Sequence, residues 1–444
     1  MLEKLFQLKS NHTTIRREIV AGCTTFMTLS YIIFVQPFFL KETGMDPGAV
    51  MVATCISSAG ACFLMAFLTN YPVALAPGMG INTYFVYEIC LGLGLQWEYA
   101  LGIVFMSGML FVILSFVGLR AAVMNALPSS LHNAIAVGIG AFIAFIGLRM
   151  SGIITSHPAT FVTLGDIQSK PVLISIFGIL IILTLMAHRV RGAMLLGILA
   201  TAIVSIIFGI AKFEGIVAVP PSIEPTFFKL RFPNLLKIVE LIPYIFFFFS
   251  VDMFDSIGTL TATGHEADLH EDGKLSKGRQ ALLTDAIGSV GGACLGTSTV
   301  TCYIESASGI AEGGRTGLTT IITGILMLGA LFFNPLISIV GGGYQPQGSP
   351  IPLYPIIGPA LIVVGGLMLK DLVNINWDDF TEAIPAALTV VMMPLAFSIT
   401  EGIAFGFISM SFLKIVTGRS KDVNPMVHYF AIFFVAVYMR DLIL

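Results

Sequence analysis

Apolar runs about as long as a bilayer is thick recur along the whole chain, separated by short polar segments. A helix needs about 20 apolar residues to cross the hydrocarbon core of a membrane. Of the 444 residues, 56% are hydrophobic and only 11% are charged, whereas a soluble protein carries about 25% charged residues. So little charge cannot cover several water-exposed domains. The sequence therefore predicts an all-α polytopic membrane protein.

The charge balance and the cysteine pattern exclude several classes of function. The net charge is only −3, and binding to nucleic acid needs clustered basic residues, so no nucleic-acid partner is expected. The six cysteines lie inside apolar runs without metal-site spacing, and we expect no metal and no cofactor. No phosphate-binding G-x-x-x-x-G-K-[ST] motif is present, which argues against an ATP-driven pump.

Fourteen apolar runs are predicted to span the membrane, seven on each side of a loop that contains Pro220 and Pro221. The first seven are 15–40, 49–68, 73–93, 99–119, 131–148, 172–187 and 193–211. The second seven are 239–263, 281–295, 296–311, 318–340, 353–369, 383–398 and 403–416. An odd-numbered unit that is repeated once must insert in opposite orientations, so this count predicts a 7+7 inverted repeat, which is typical of transporters.

The basic residues predict the orientation of the chain. Cytoplasmic loops collect Lys and Arg, and a cytoplasmic N-terminus places most of them inside, including Arg16 and Arg17 before the first span. That span has no small-residue cleavage site after it and is predicted to be retained. We expect a multi-pass protein of the plasma (cell inner) membrane. The last apolar run, 427–439, is predicted to be an interfacial or extra helix.

The third span of each half is predicted to be broken. Span 3 contains Pro72 and the pair Pro77-Gly78, and span 10 begins with a β-branched, hydroxyl-rich stretch at 297–303. Each is expected to form a short strand followed by a half-helix, and the two segments are expected to cross at the membrane midplane, where backbone donors can face a ligand. A Pro-kinked helix and a Ser/Thr-rich packing helix are the alternatives.

Three acids in the predicted spans are the main candidate functional residues: Asp252, Asp255 and Glu305. An ionisable residue at bilayer depth costs at least about 2.5 kcal/mol. Asp252 and Asp255 are three residues apart on one helix and share a face. Two carboxylates in one site cannot both ionise cheaply, so one of them can carry a proton. Alternatively, Asp252 caps a helix or pairs with a loop cation.

Four motifs resemble the nucleobase:cation symporter 2 family, and more narrowly its adenine/guanine/hypoxanthine permease branch. The motifs are APGMGIN at 76–82, FDSIGTL at 254–260, TCYIESASG at 301–309 and GGRTGLT at 313–319. The resemblance implies core and gate domains that move against each other, with a homodimer as the usual assembly. The implied boundaries are 13–130 and 236–345 for the core (spans 1–4 and 8–11), 131–235 and 346–420 for the gate (spans 5–7 and 12–14), and 421–444 for the C-terminal helix.

The resemblance also implies a site and an activity. Glu305, Asp255 and Asn82 would address a purine base, Gly80 would permit its close approach, and Thr301 and Phe26 complete the candidate binding residues. Asp255, Asp252 and Glu305 are the candidates for proton coupling, with a proton expected rather than sodium. The implied function is import of adenine, guanine or hypoxanthine by proton symport with elevator-like alternating access.

Two other classes of function stay open at this point. A channel or an anion exchanger of the same architecture should carry a basic residue where the broken spans cross, and the sequence has acids there. A membrane-embedded hydrolase should have a nucleophile and a base in its central spans, and no histidine lies in one. The protein is therefore not expected to be an enzyme. The sequence does not decide which purine is preferred.

Overall fold

The computed structural model describes residues 2–117, 128–271, 274–346 and 352–443. Helices make up most of the described structure, and a helix occurs within every predicted span. The end of the fourth span at 118–119 lies outside the described residues. The helices of the first half are α1 (Leu2–Phe6), α2 (Ile15–Leu29), α3 (Ile32–Lys41), α4 (Pro47–Thr69), α5 (Met79–Thr83), α6 (Trp97–Val117), α7 (Ser129–Met150), α8 (Lys170–Ala187) and α9 (Ala193–Ile207).

The second half has the same helical character. Its helices are α10 (Leu235–Glu266), α11 (Gly278–Leu295), α12 (Ser306–Ala311), α13 (Gly317–Ala330), α14 (Asn334–Val340), α15 (Gly358–Met368), α16 (Phe380–Ala396), α17 (Ile399–Val416) and α18 (Pro425–Ile443). A π-helix, Tyr84–Gly92, continues α5, and short 3-10 turns lie at Leu331–Phe333, Leu369–Asn374 and Ser420–Asp422.

Several helices are long and apolar enough to cross a membrane. Eight segments of the described chain meet both criteria: Ile15–Lys41, Pro47–Thr69, Trp97–Ser115, Ser129–Met150, Lys170–Ala187, Glu240–Glu266, Gly317–Val340 and Ile399–Val416. Shorter apolar helices include Ala193–Ile207 and Phe380–Ala396. These lengths support a polytopic membrane fold, while the fourteen-span count and the inverted repeat stay predictions.

Short strands interrupt the helical pattern at three places. Strand β1 (Leu75–Pro77) pairs antiparallel with β6 (Val300–Cys302). Two local hairpins pair β2 (Ile154–His157) with β3 (Phe161–Leu164) and β4 (His270–Glu271) with β5 (Lys274–Leu275). The β1–β6 pair joins segments that lie more than 200 residues apart in the sequence, and it confirms the short strands predicted in spans 3 and 10.

The chain divides into two compact units. The first comprises Met1–Val117 and Gly165–Ala360, and the second comprises Gly118–Leu164 and Leu361–Leu444. In the first unit α13 packs against α2 and α4, and α11 packs against α4 and α6. In the second, α16 packs against α7 and α17, and α17 packs against α18. The core and gate boundaries given above stay predictions.

The N-terminus of α13 is held by side chains from other parts of the first unit. Its first backbone N–H groups have no partner within the helix. Asn70 Oδ1 accepts from the Gly317 N–H at 2.9 Å, and the buried Glu18 carboxylate accepts from the N–H groups of Arg315 and Thr319 at 2.9 and 3.1 Å. The Glu18 bonds fasten α13 to α2, and the Asn70 bond fastens it to the end of α4.

Candidate functional site

The two broken spans meet at the β1–β6 strand pair. In this pair Ala76 lies opposite Thr301, and the pairing continues beyond the strands: the Gly78 N–H donates to the Thr299 carbonyl at 3.0 Å and the Tyr303 N–H donates to the Ala74 carbonyl at 2.9 Å. Helix α5 begins one residue beyond Gly78, and α12 begins three residues beyond Tyr303. Each broken span is therefore a strand followed by a half-helix, as predicted.

Small residues let the strand pair approach its neighbours. A Cβ on Gly78 would lie 2.8 Å from the Thr301 methyl group, and a Cβ on Gly292 of α11 would lie 2.8 Å from the Ser298 carbonyl oxygen. Both distances are shorter than a carbon atom tolerates. Larger side chains would therefore separate the crossing from the helix behind it.

Glu305 lies at the start of the α12 half-helix, among two tyrosines. The Tyr31 hydroxyl donates to Glu305 Oε1 at 2.9 Å, and the Thr28 hydroxyl lies 3.4 Å from the Glu305 carbonyl oxygen. Tyr303 is close enough to interact electrostatically with both Glu305 and Asp255. Both predicted acids therefore lie near Tyr303, which is buried and whose hydroxyl donates to the Pro77 carbonyl.

Asp255 and Asp252 differ sharply in exposure although they share a helix. Asp255 is exposed, and Glu305 is half-buried. Asp252 is only 1% exposed, and its Oδ2 lies 3.0 Å from the Ser289 hydroxyl. Asp255 and Glu305 are therefore more accessible than Asp252.

A second buried acid accompanies Asp252. Asp285 of α11 is fully buried, and it interacts electrostatically with Asp252 and Asp255. Asp252 Oδ1 and both Asp285 carboxylate oxygens are buried, and Ser256 and Cys302 lie close to the Asp285 carboxylate. Asp285 is not among the residues that the sequence patterns select, because a lone acid on a Gly-rich helix gives no signal of what it faces.

The Ser289 hydroxyl indicates which charge state suits Asp252. It lies 3.0 Å from Asp252 Oδ2 and also 3.0 Å from the Val300 carbonyl oxygen. A hydroxyl has one hydrogen to donate. If the two contacts are separate two-centre hydrogen bonds, Ser289 donates to Val300 and a protonated Asp252 donates to Ser289.

The remaining predicted residues lie around the crossing in different environments. Asn82 is fully buried, and its amide is bonded to Gln36 and Ser298. The Thr301 hydroxyl is buried and lies 2.8 Å from the Ser256 hydroxyl. Gly80 is half-buried on α5, and Phe26 is half-buried on α2. No hydrogen bond described here links Asn82 or Thr301 to Asp255 or Glu305. The roles of Asn82, Thr301, Gly80 and Phe26 in binding stay predictions.

A family model described as a permease family matches residues 16–405 of the chain. The chain belongs to this family, the nucleobase:cation symporter 2 family. Members of this permease family are transporters and not enzymes. No group of three or more His, Cys, Asp or Glu residues in the described part of the chain has metal-site geometry.

Individual permeases are similar to the chain over almost their whole length. A protein of Methanocaldococcus jannaschii named as a permease is 48% identical over 98% of this chain and 97% of its own. The guanine/hypoxanthine permease PbuG of Bacillus subtilis is 42% identical, over 99% of both chains. The adenine permease AdeP of Escherichia coli is 41% identical over 98% of this chain and 95% of its own.

Solved structures share the fold of this permease at much lower identity. The transmembrane domain of the cyanobacterial bicarbonate transporter BicA matches with a TM-score of 0.64 at 15% identity, over 88% of this chain and 97% of that one. The murine solute carrier 26 family member A9 matches with a TM-score of 0.60 at 11% identity, over 93% and 72%. At such low identity the likeness concerns the fold alone.

Proposed function

We propose that this permease imports purine nucleobases, with guanine, hypoxanthine and adenine as its candidate substrates. The observation that carries the proposal is that Glu305 and Asp255 both lie near Tyr303, beside the strand pair that joins the two broken spans. Relatives of 41 and 42% identity that bear the names of adenine and guanine/hypoxanthine permeases support the substrate class.

The chemistry of the exposed acids fits a planar base. A carboxylate accepts two parallel N–H bonds, and guanine presents its ring N1–H beside its exocyclic amino group. Hypoxanthine and adenine also carry N–H donors on their ring edges. Glu305 and Asp255 accept these bonds in the proposal, and Gly80 allows the base to approach the α5 backbone. A substrate that carries a negative charge would be repelled by the same two acids.

We further propose that a proton accompanies the substrate. Two carboxylates buried in one place without a cation require at least one proton, because ionising both would leave charge uncompensated in a low dielectric. Asp252 and Asp285 are such a pair, and the Ser289 geometry suits a protonated Asp252. Asp255 interacts with both buried acids, which provides an electrostatic link between the proton and the substrate site.

Our proposal also covers the transport cycle and the cellular setting. We propose elevator-like alternating access, in which a core domain that carries the strand pair moves against a gate domain. The protein is proposed to act as a homodimer among lipids of the plasma membrane, with its N-terminus in the cytoplasm.

Uptake of radiolabelled purine by cells that lack their own purine permeases tests the assignment. Glu305→Gln and Asp255→Asn remove one charge each and are expected to reduce uptake on the order of 10- to 100-fold, the effect of losing a hydrogen bond to a charged group. Glu224→Gln, at an exposed loop acid, is the matched control and should transport normally. Undiminished transport by both site variants at equal protein levels would refute the proposed role of these acids in purine transport.

Anion exchange is the competing function, since BicA shares the fold. It receives no support from the charged groups near Tyr303, because those that act on it electrostatically are the acids Glu305 and Asp255. Bicarbonate uptake that survives Glu305→Gln would favour it over purine import.

A further inference from the structure

Gln36 is a polar residue that the motifs do not include, and it lies in the middle of an apolar helix. Helix α3 reads IIFVQPFFLK, and the Gln36 side chain is fully buried. Burial of an amide is unfavourable unless its donors and acceptor are all paired. The contacts of Gln36 therefore indicate why a glutamine is present at this depth.

Every hydrogen-bonding group of the Gln36 amide has a partner. Its Nε2 donates to Thr297 Oγ1 at 2.9 Å and to Ser298 Oγ at 3.1 Å. Its Oε1 accepts from Asn82 Nδ2. Ser298 Oγ in turn donates to Asn82 Oδ1. Gln36, Asn82 and Ser298 thus form a closed ring of hydrogen bonds, called the amide ring below.

The amide ring joins three segments that are distant in sequence. Gln36 belongs to the first span, Asn82 to the α5 half-helix that carries Gly80, and Ser298 to the turn before β6, which leads to Glu305. The β1–β6 hydrogen bonds join only two of these segments. Gln36 adds the third, so that the walls of the crossing are fixed relative to the first span.

The ring also determines which way the Asn82 amide points. Its nitrogen must face the Gln36 oxygen, because an amide oxygen there would place two acceptors together. Its oxygen must face the Ser298 hydroxyl, which gives its hydrogen to Asn82. Without Gln36 the Asn82 amide loses the partner that selects this orientation.

We propose that Gln36 is a positioning residue for the substrate site, acting through Asn82 and Ser298 and not by touching the base. This inference rests on the proposed purine transport. It predicts that the affinity for the base depends on Gln36. The maximal transport rate of correctly folded protein should not depend on it.

Gln36→Met tests the inference, because methionine has a similar shape and cannot form these bonds. Purine uptake is measured as a function of concentration and normalised to the amount of protein in the membrane. We expect KM to rise on the order of tenfold, equivalent to the loss of about one hydrogen bond between the site and the base, with a normalised maximal rate within about threefold of the wild type. Ser298→Ala removes the Asn82 contact from the other side and should raise KM similarly.

Thr54→Val is the matched control within the same buried layer. Thr54 Oγ1 lies 3.3 Å from Thr297 Oγ1 at the edge of the network, with its partner outside the amide ring, so Thr54→Val should leave KM unchanged. An unchanged KM in either Gln36→Met or Ser298→Ala would overturn the inference. An equal rise in Thr54→Val would also overturn it, because it would indicate general loosening of the layer. Absence of purine uptake by the wild type would instead overturn the proposed function.

If Gln36→Met does not reach the membrane, Gln36→Glu and Ser298→Ala decide the matter. Glutamate retains the acceptor for Asn82 but cannot donate to Ser298, and its carboxylate competes with Asn82 for the Ser298 hydrogen. We expect a raised KM for both variants. A wild-type KM in either one would refute the positioning role.

Discussion

Replacing Glu18 should weaken the protein without altering its affinity for substrate. The Glu18 side chain is fully buried at the N-terminus of α13. Its Oε1 accepts from the Arg315 N–H at 2.9 Å. Its Oε2 accepts from the Thr319 N–H at 3.1 Å and from the Thr319 hydroxyl at 2.7 Å. A negative charge at this helix end also interacts favourably with the helix dipole.

The number of bonds lost sets the expected size of the effect. In Glu18→Gln the remaining side-chain oxygen can accept from the N–H and hydroxyl of Thr319. The new NH₂ group then faces the Arg315 N–H, so that hydrogen bond is lost. One bond to a charged group is worth about 1.5–3 kcal/mol, so we expect a destabilisation of about that size. Glu18→Ala removes all three bonds and leaves a cavity, and it should cost more, at least about 4 kcal/mol.

Thermal unfolding of purified protein in detergent measures the effect. Both variants should unfold at lower temperature than the wild type, in the order wild type, Glu18→Gln, Glu18→Ala. Glu266→Gln, at an exposed acid near the end of α10, should behave like the wild type. The KM for purine in cells should be unchanged, because Glu18 caps α13 and does not face the exposed acids. A Glu18→Gln protein that unfolds with the wild type would refute the capping role.

Two further variants test the packing and the ion pairs. Gly292→Ala should destabilise the protein by about 1–3 kcal/mol, because its Cβ would lie 2.8 Å from the Ser298 carbonyl oxygen. A Cβ at Gly291 meets open space, so Gly291→Ala should be neutral or slightly stabilising. Thermal melting curves of the two variants measure the difference. Hydrogen bonding from Thr381, followed by the influence of nearby cations, lowers the pKa of Asp379 from 3.8 to about 2. Its ionised form therefore contributes stability above about pH 4 that is lost as the pH falls towards 2. In Asp379→Asn the melting temperature should depend less on pH across that window than in the wild type. The same pH dependence in both proteins would contradict this.

The broken spans could be predicted because their signal is local. Proline at position 77 followed by glycine ends a helix whatever surrounds it, and the β-branched residues from Thr297 to Thr301 favour a strand. The acids Asp255 and Glu305 are equally visible, since charge inside an apolar run is costly. Elements of the crossing and its main acids were therefore predictable from the sequence.

The partners of buried polar residues could not be predicted in the same way. Gln36 lies between Val35 and Pro37 in an apolar run, and nothing near it in the sequence shows that it meets Asn82 and Ser298. Asp285 likewise meets Asp252 only when α10 and α11 pack behind β6. These contacts depend on tertiary packing, and sequence periodicity carries no information about them.

Accumulation of purine in proteoliposomes tests the central claim most directly. Purified wild-type protein is reconstituted, a pH gradient with protons in excess outside is imposed, and entry of labelled guanine, hypoxanthine and adenine is followed. We predict that at least one of the three accumulates above its external concentration and that a protonophore abolishes the accumulation. No entry of any of them, or accumulation that ignores the proton gradient and follows sodium, would contradict proton-coupled purine import.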